Sequence, residues 1–256
     1  MHKIMVIKLR DILALISLAC FIMIIVFMSG YFTNHTIEVV AQNRVLPIYS
    51  VETKDKKIAL TFDCAWGADD IDKIIEVLES KNVSATFFVV GTWVDKYEEE
   101  VKKLAEAGHE IGNHSDNHAH VNKLSYDANL LDMKKCTEKI EKITGKNVNF
   151  YRGPYGEYNN IVIKAAEELG MKVIQWDVDT LDYTGKTADE MCSRIKDRIR
   201  NGSIILMHND TEHTADSLEQ IIDTINELGY EIVPLKRLIY FENYKINHEG
   251  RQIKNM

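Results

Sequence analysis

The chain has 256 residues, enough for one domain or two and for a core that needs no disulfide staples. Its 31 basic and 39 acidic residues leave a net charge of −8, which argues against a nucleic-acid-binding surface, a role that calls for a basic footprint. Hydrophobic residues make up 45 % of the chain, but they are unevenly spread.

The excess lies at the amino-terminal end. Ile12 to Ser29 is apolar except for Ser17 and Ser29, and no charge interrupts it. Continued into Tyr31 and Phe32, at about 1.5 Å per residue, it is long enough for a hydrocarbon core of roughly 30 Å. The stretch Phe27-Met28-Ser29-Gly30 is a poor cleavage site, so the run reads as an uncleaved signal anchor over residues 12–32. Lys3, Lys8 and Arg10 precede it, which predicts a cytoplasmic tail over 1–11 and an extracytoplasmic remainder. Acylation of Cys20 is rejected, because Ser17 stands where a lipoprotein needs Leu. Three basic residues against Asp11 leave +2 inside and −10 outside. The three exported cysteines, an odd number, argue against a disulfide framework, and Cys136 and Cys192 read as small core residues.

Residues 33–56 include Pro47 and show no sustained period, as a stem would. From Lys57 onward short strand-like runs alternate with amphipathic stretches. The runs are 58–62, 85–90, 109–112, 149–151, 172–176, 203–207 and 230–233; the predicted helices cover 69–80, 95–107, 125–144, 159–169, 187–200 and 214–228. Seven β-α alternations imply an α/β fold with parallel strands, either a barrel or a doubly wound sheet. The domain is expected over 57–240, with a polar, fraying tail over 241–256.

In such a fold the chemistry gathers at the carboxyl ends of the strands. Those ends carry Asp63-Cys64, His114-Ser115-Asp116-Asn117-His118, Arg152-Gly153-Pro154-Tyr155, Asp177 to Asp182, and His208-Asn209-Asp210. A lone His or Asp there is more often a cap than a catalyst, but five ionisable ends together are harder to dismiss. His114 and His118 have a spacing that lets two imidazoles converge on one cation.

The ordered set Thr61-Phe62-Asp63, His114-Ser115-x-x-His118, Arg152-Gly153-Pro154-Tyr155, Asp179-Thr180-Leu181-Asp182-Tyr183 and Leu206-Met207-His208 resembles the five motifs of the NodB-type polysaccharide deacetylases, carbohydrate esterase family 4. The layout of anchor, stem and bare domain further resembles the membrane-anchored, PdaB-like sporulation branch. The resemblance implies a distorted (β/α)7 barrel, the NodB homology domain, behind an N-terminal transmembrane helix. It also implies metal-dependent removal of N-acetyl groups from N-acetylhexosamine units of cell-wall glycan. Asp63 would be the general base and Arg152 its ion-pair partner. His114 and His118 would hold a divalent metal, and Tyr155 would contribute a backbone N–H to the oxyanion. His208 would be the general acid with Asp179 raising its pKa, and Leu206 would line the pocket for the acetyl methyl group.

The family pattern has a second Asp, the third metal ligand, where this chain has Cys64. Three readings follow: a thiolate ligand, which would favour zinc; a small buried residue that leaves the metal weakened or absent; or a third ligand from His120, Asp116 or Asp69. The alternative to an enzyme is therefore a catalytically impaired glycan-binding or scaffold protein, with a metal-dependent amidohydrolase on another substrate as a third reading. Trp66 and Trp93 follow strand ends and could stack on sugars or lid the core, while Trp176 reads as packing and Asp182-Tyr183 stands where the family has Asp-Trp.

Overall fold

The structure, a computed structural model, describes residues 12–13, 16–29 and 44–255. It divides into residues 1–44 and 45–256. In the first unit residues 16–29 form helix α1. Among the described residues no helix is long and apolar enough to cross a membrane. The expected cytoplasmic tail over 1–11, and residues 14, 15 and 30–32 of the expected anchor, lie outside the described residues.

The second unit runs β1 (Ser50–Val51), β2 (Lys57–Cys64), α2 (Ile71–Ser80), β3 (Thr86–Val89), α3 (Gly91–Lys96), α4 (Glu98–Glu106), β4 (Glu110–Asn113), α5 (Tyr126–Thr144), β5 (Phe150–Tyr151), α6 (Asn160–Glu168), β6 (Lys172–Val173), β7 (Val178–Asp179), α7 (Ala188–Arg198), β8 (Ile204–His208), α8 (Thr214–Glu227), β9 (Glu231–Ile232), α9 (Leu235–Leu238), β10 (Tyr244–Ile246) and β11 (Arg251–Lys254). The main sheet is parallel in the order β6-β5-β4-β3-β2-β8-β7, with β9 beside the start of β2. Every expected strand run is present. The sheet has one strand more, because residues 172–179 hold β6 and β7 separately, and β7 pairs with β8.

Local sequence accounts for the helices. Ser125 caps α5 by accepting from the Ala128 N–H, and Thr187 with Glu190 forms a reciprocal capping box on α7. Each helix buries one stripe, such as Ile71, Ile74 and Leu78 of α2. The helix expected over 95–107 is broken at Tyr97 into α3 and α4.

β2 is buried on both faces, and its alternation sorts the molecule into layers. Ile58, Leu60, Phe62 and Cys64 join the core between sheet and helices. Ala59 belongs to a second apolar cluster with Phe88, Phe150, Ile174 and Ile204. Asp63 at the strand's end is also buried, and lines a cavity.

β6 and β7 end the sheet, and residues 48–51 run from the residue that follows β6 to the residue that precedes β8. Ile48 bridges Ile174, Ser50 bridges Ser203, and Val51 is fully buried. β1 then pairs with β11, which pairs with β10. Two sequence expectations are corrected here. Residues 45–56 belong to the folded unit rather than to a stem, and residues 244–254 form a hairpin rather than a fraying tail. Burial decides it: Gln252 is fully buried and exchanges hydrogen bonds with Tyr240.

Candidate active site

Asp63 ends β2 directly beside His208, its register partner on β8. Arg152 follows β5 and lies fully buried, its guanidinium 4.2 Å from the Phe88 ring centroid. It donates to Asp63 Oδ1 at 2.7 Å, to Thr61 Oγ1 at 2.9 Å and to the carbonyl of Gln175 at 3.2 Å. Burial pushes the Asp63 carboxyl up, but Arg152 and then His114 and His208 outweigh it and hold the group below its ordinary value.

The two histidines that follow β4 are set by a loop tied down from several sides. Asn113 accepts from Ser115 N–H and donates to Met133 O and Thr137 Oγ1 on α5. Gly91 and Thr92 donate their N–H groups to the carbonyls of Ser115 and Asp116. Only glycine fits at 91, since a Cβ there would lie 2.2 Å from Asp116 Oδ1 and 2.9 Å from its Cα. His114 Nδ1 donates to the carbonyl of Arg152 at 2.8 Å, because a carbonyl can only accept. Its Nε2 therefore carries the lone pair, 3.6 Å from Asp63 Oδ2. The His118 ring lies 5.2 Å from that of His114, and its buried Nδ1 has no partner among the described residues. Burial lowers the pKa of both rings, His118 to about 4, so both are neutral near pH 7.

His208 Nδ1 lies 2.9 Å from Asp182 Oδ1, and Asp182 Oδ2 accepts from the His208 N–H and from Thr214 Oγ1. The resemblance gave Asp179 as the charge that raises the His208 pKa, and Asp179 does contribute in that sense, but the hydrogen-bond partner is Asp182. Asp179 turns its Oδ1 to the Leu181 N–H and acts on His208 as a charge without a hydrogen bond. Asp182 sits in a 3-10 turn, fully enclosed, which brings it back under the imidazole. Burial alone would lower the pKa of His208; the Asp182 hydrogen bond and the charges of Asp63, Asp182 and Asp179 raise it.

Backbone strain gathers at the same loops. Among the described residues seven non-glycine residues have positive φ, and five of them, Ser115, His118, Tyr155, Leu181 and Asp210, lie in the loops around Asp63.

These loops enclose a cavity of about 430 Å³ lined by Asp63, His114, His118, Tyr155, Asp179, Leu206 and His208, with Trp66, Trp176 and Tyr183 among the remaining walls. Arg152 lies beneath it. Trp176, read from sequence as packing, is half-buried and forms part of a wall. Trp93 is buried and donates its indole N–H to the Gly67 carbonyl, whereas Trp66 is exposed.

Cys64 is not brought to the cavity. It is fully buried in the layer facing the helices, and burial with the charges of Asp63 and Asp70 holds its thiol well above the ordinary value. The thiolate reading is thus corrected: alternation along β2 points Asp63 and Cys64 opposite ways. His120 bonds Glu157 and stacks on Tyr155, and Asp116 bonds Lys139. Among the described residues no group of three or more His, Cys, Asp or Glu is arranged to hold a metal. Two neutral imidazoles, one with a directed lone pair and one with a buried unpartnered nitrogen, fit a borderline cation as a two-ligand site.

Comparison with known proteins places this geometry. A family profile described as polysaccharide deacetylase matches residues 50–174. A CE4 family pseudoenzyme from Bacillus anthracis has the same fold, with a TM-score of 0.73 at 30 % identity, covering 82 % of this chain and 73 % of that one. The chain belongs to the polysaccharide deacetylase family. A mutant of that pseudoenzyme, described as having restored enzymatic activity, is 34 % identical over 75 % of this chain and 70 % of its own, also at a TM-score of 0.73. By sequence the chain is 35 % identical to the uncharacterized protein YlxY of Bacillus subtilis, over 75 % of this chain and 60 % of that protein. It is 33 % identical to a peptidoglycan-N-acetylglucosamine deacetylase of Bacillus cereus, over 70 % of this chain and 66 % of that protein. The chain thus spans about three-fifths to two-thirds of the length of these two curated relatives.

Proposed function

We propose that this protein removes N-acetyl groups from N-acetylhexosamine units of a cell-wall glycan. The observation that carries the reading is geometric: Asp63, ion-paired to Arg152, and His208, hydrogen-bonded to Asp182, are cross-strand neighbours in one cavity, and those contacts lower the pKa of the first and raise that of the second. An amide hydrolase needs such a base and acid on either side of the reacting carbonyl. The relatives named as peptidoglycan deacetylases support the substrate class.

Each residue then has a task. Asp63 Oδ2 takes the proton of the attacking water, while Arg152 fixes the carboxylate through Oδ1. His208 gives its proton to the departing amine, and Asp182 stabilises the imidazolium. Leu206, 2 % exposed, presents an apolar wall to the acetyl methyl group. The Tyr155 N–H, in a left-handed turn, serves the oxyanion. A divalent cation, zinc by the character of its imidazole ligands His114 and His118, would supply Lewis acidity toward the carbonyl when bound. The walls carry Asp63 and Asp179 and no Lys or Arg, which favours an uncharged sugar ring. The apolar run over 12–32 and the basic residues before it support a membrane tether with the catalytic unit outside, the layout that resembles the sporulation branch.

The full-length chain should release acetate from purified peptidoglycan or chitotetraose when zinc is added, and lose this with Asp63→Asn or His208→Ala. No acetate from any N-acetylated glycan with zinc present sinks the reading. One observation favours a second: with Cys64 in the core, the first motif supplies no third ligand, and the fold matches a pseudoenzyme. A glycan-binding protein without turnover would bind chitotetraose, hold no zinc, and release nothing.

A further inference from the structure

The 45–255 unit exposes few large apolar side chains, and they are not scattered evenly. Of seven, Trp66, Tyr155 and Tyr183 surround the mouth of the one cavity over Asp63. A soluble surface tolerates single exposed apolar residues anywhere, but three around one opening mark a contact site. Two of the three are engaged from below. Tyr155 stacks on His120 at 4.5 Å and meets His118 edge-on, and Tyr183 meets His208 edge-on at 5.2 Å.

Trp66 differs. Its indole is 67 % exposed, tilts at 57° to His118 at 5.6 Å, and makes no hydrogen bond among the described residues. Yet the backbone that carries it is clamped. Gly67 N–H donates to Asp210 Oδ2 at 2.8 Å, and its carbonyl accepts from Trp93 Nε1 at 2.9 Å and Asn209 Nδ2 at 2.6 Å. Asp210 N–H in turn donates to Asp70 Oδ2. A Cβ at 67 would push the Asp210 carboxylate away and break its bond from the Gly67 N–H. The exposed indole is thus carried on a backbone tied down at the next residue, so a partner at the mouth need not order the loop on binding.

We propose that Trp66 is a stacking platform for a second pyranose ring, next to the sugar whose N-acetyl group enters the cavity, so that the occupant of the mouth is an uncharged N-acetylhexosamine oligosaccharide. The proposal rests on the reading of the cavity as an N-acetylhexosamine site. The C–H face of a pyranose is apolar and flat enough to cover the indole, while its hydroxyls stay in water. Continuity with the cavity selects a chain of such rings over a single sugar: the loop bearing Trp66 follows β2, whose last interior residue is Asp63.

The test is titration calorimetry on the full-length chain with chitotetraose and with N-acetylglucosamine, for the unaltered protein, Trp66→Ala and Trp66→Phe, with acetate release measured in parallel. Chitotetraose affinity should fall about tenfold in Trp66→Ala and recover to within threefold in Trp66→Phe, while monosaccharide affinity stays within twofold. Equal chitotetraose affinity in Trp66→Ala, parallel loss of both ligands, or no chitotetraose binding by the unaltered chain overturns the platform. Trp66-dependent binding without acetate release upholds the platform and removes the deacetylase reading; acetate release from chitotetraose with unchanged affinity in Trp66→Ala does the reverse.

Discussion

Arg152 holds His114 with its backbone: the carbonyl oxygen lies 2.8 Å from His114 Nδ1, while the guanidinium of the same residue grips Asp63. One residue thus sets the tautomer of a candidate metal ligand and the charge of the candidate base, through two chemically independent contacts. A side-chain substitution separates them. Arg152→Ala leaves Asp63 buried without its partner and should lower the unfolding free energy by about 3–5 kcal/mol in urea titrations at pH 7. Arg152→Lys keeps a charge but loses the planar fork; it should cost less stability, reduce acetate release, and leave zinc affinity within about threefold, because the His114 contact is untouched.

Asp182 rather than Asp179 bonds His208, so the two carboxylates should separate in a titration. The His208 pKa, followed by the NMR shifts of its ring protons, should move down in Asp182→Asn and move down less in Asp179→Asn. If His208 is the general acid, activity is lost as pH rises through its raised pKa, and Asp182→Asn brings that loss to lower pH. An Asp179→Asn effect equal to that of Asp182→Asn would contradict the assignment.

Cys64 packs among helix-facing core residues. Cys64→Ala should cost about 1–2 kcal/mol of stability, the price of a small cavity, and leave zinc affinity unchanged by competition with a chromophoric chelator. A loss of tenfold or more in zinc affinity would restore the thiolate ligand.

His109 offers a pH prediction away from the site. Its ring is 4 % exposed, packs against Phe87 and accepts from the Ala85 N–H, and burial lowers its pKa to about 4. In the unfolded chain it titrates near 6.5, so between about pH 6.5 and 4 the unfolded state binds more protons and stability is lost as pH falls. The integrated effect is at most about 3 kcal/mol. His109→Gln removes this slope, and its unfolding midpoint should converge on that of the unaltered protein as pH falls from 7 to 4.5.

The seven strand runs were legible because short runs of three to six largely apolar residues, bounded by polar turns, have few other uses. β7 was not: Val178–Asp179 is too short for any period, so its end was credited to the preceding strand. The same brevity hid β1, and polar residues on β10 and β11 hid the hairpin, whose stability comes from Gln252 and from pairing across 200 residues of sequence. At the site, Asp63, His114, His118, Arg152 and His208 could be named from strand ends. The choice between Asp179 and Asp182 depends on how the chain turns after β7. Cys64 stood between three readings, and the alternation of KIALTFDC, with Ile58, Leu60, Phe62 and Cys64 on one face and Ala59, Thr61 and Asp63 on the other, favours the buried one; the second Asp expected at that position by the resemblance drew the reading toward a ligand.

The joining of residues 48–51 to β6, β8 and β11 has a consequence for biogenesis. Beyond the bridge from Ser50 to Ser203, the first strand of the unit pairs with residues 251–252. As the chain grows, residues 48–51 wait with part of their edge unpaired until almost the whole chain has been synthesised. High contact order of this kind slows folding and leaves an exposed strand edge in the interval. Removing β10 and β11 should therefore recreate in the finished protein the aggregation-prone state through which every nascent copy passes.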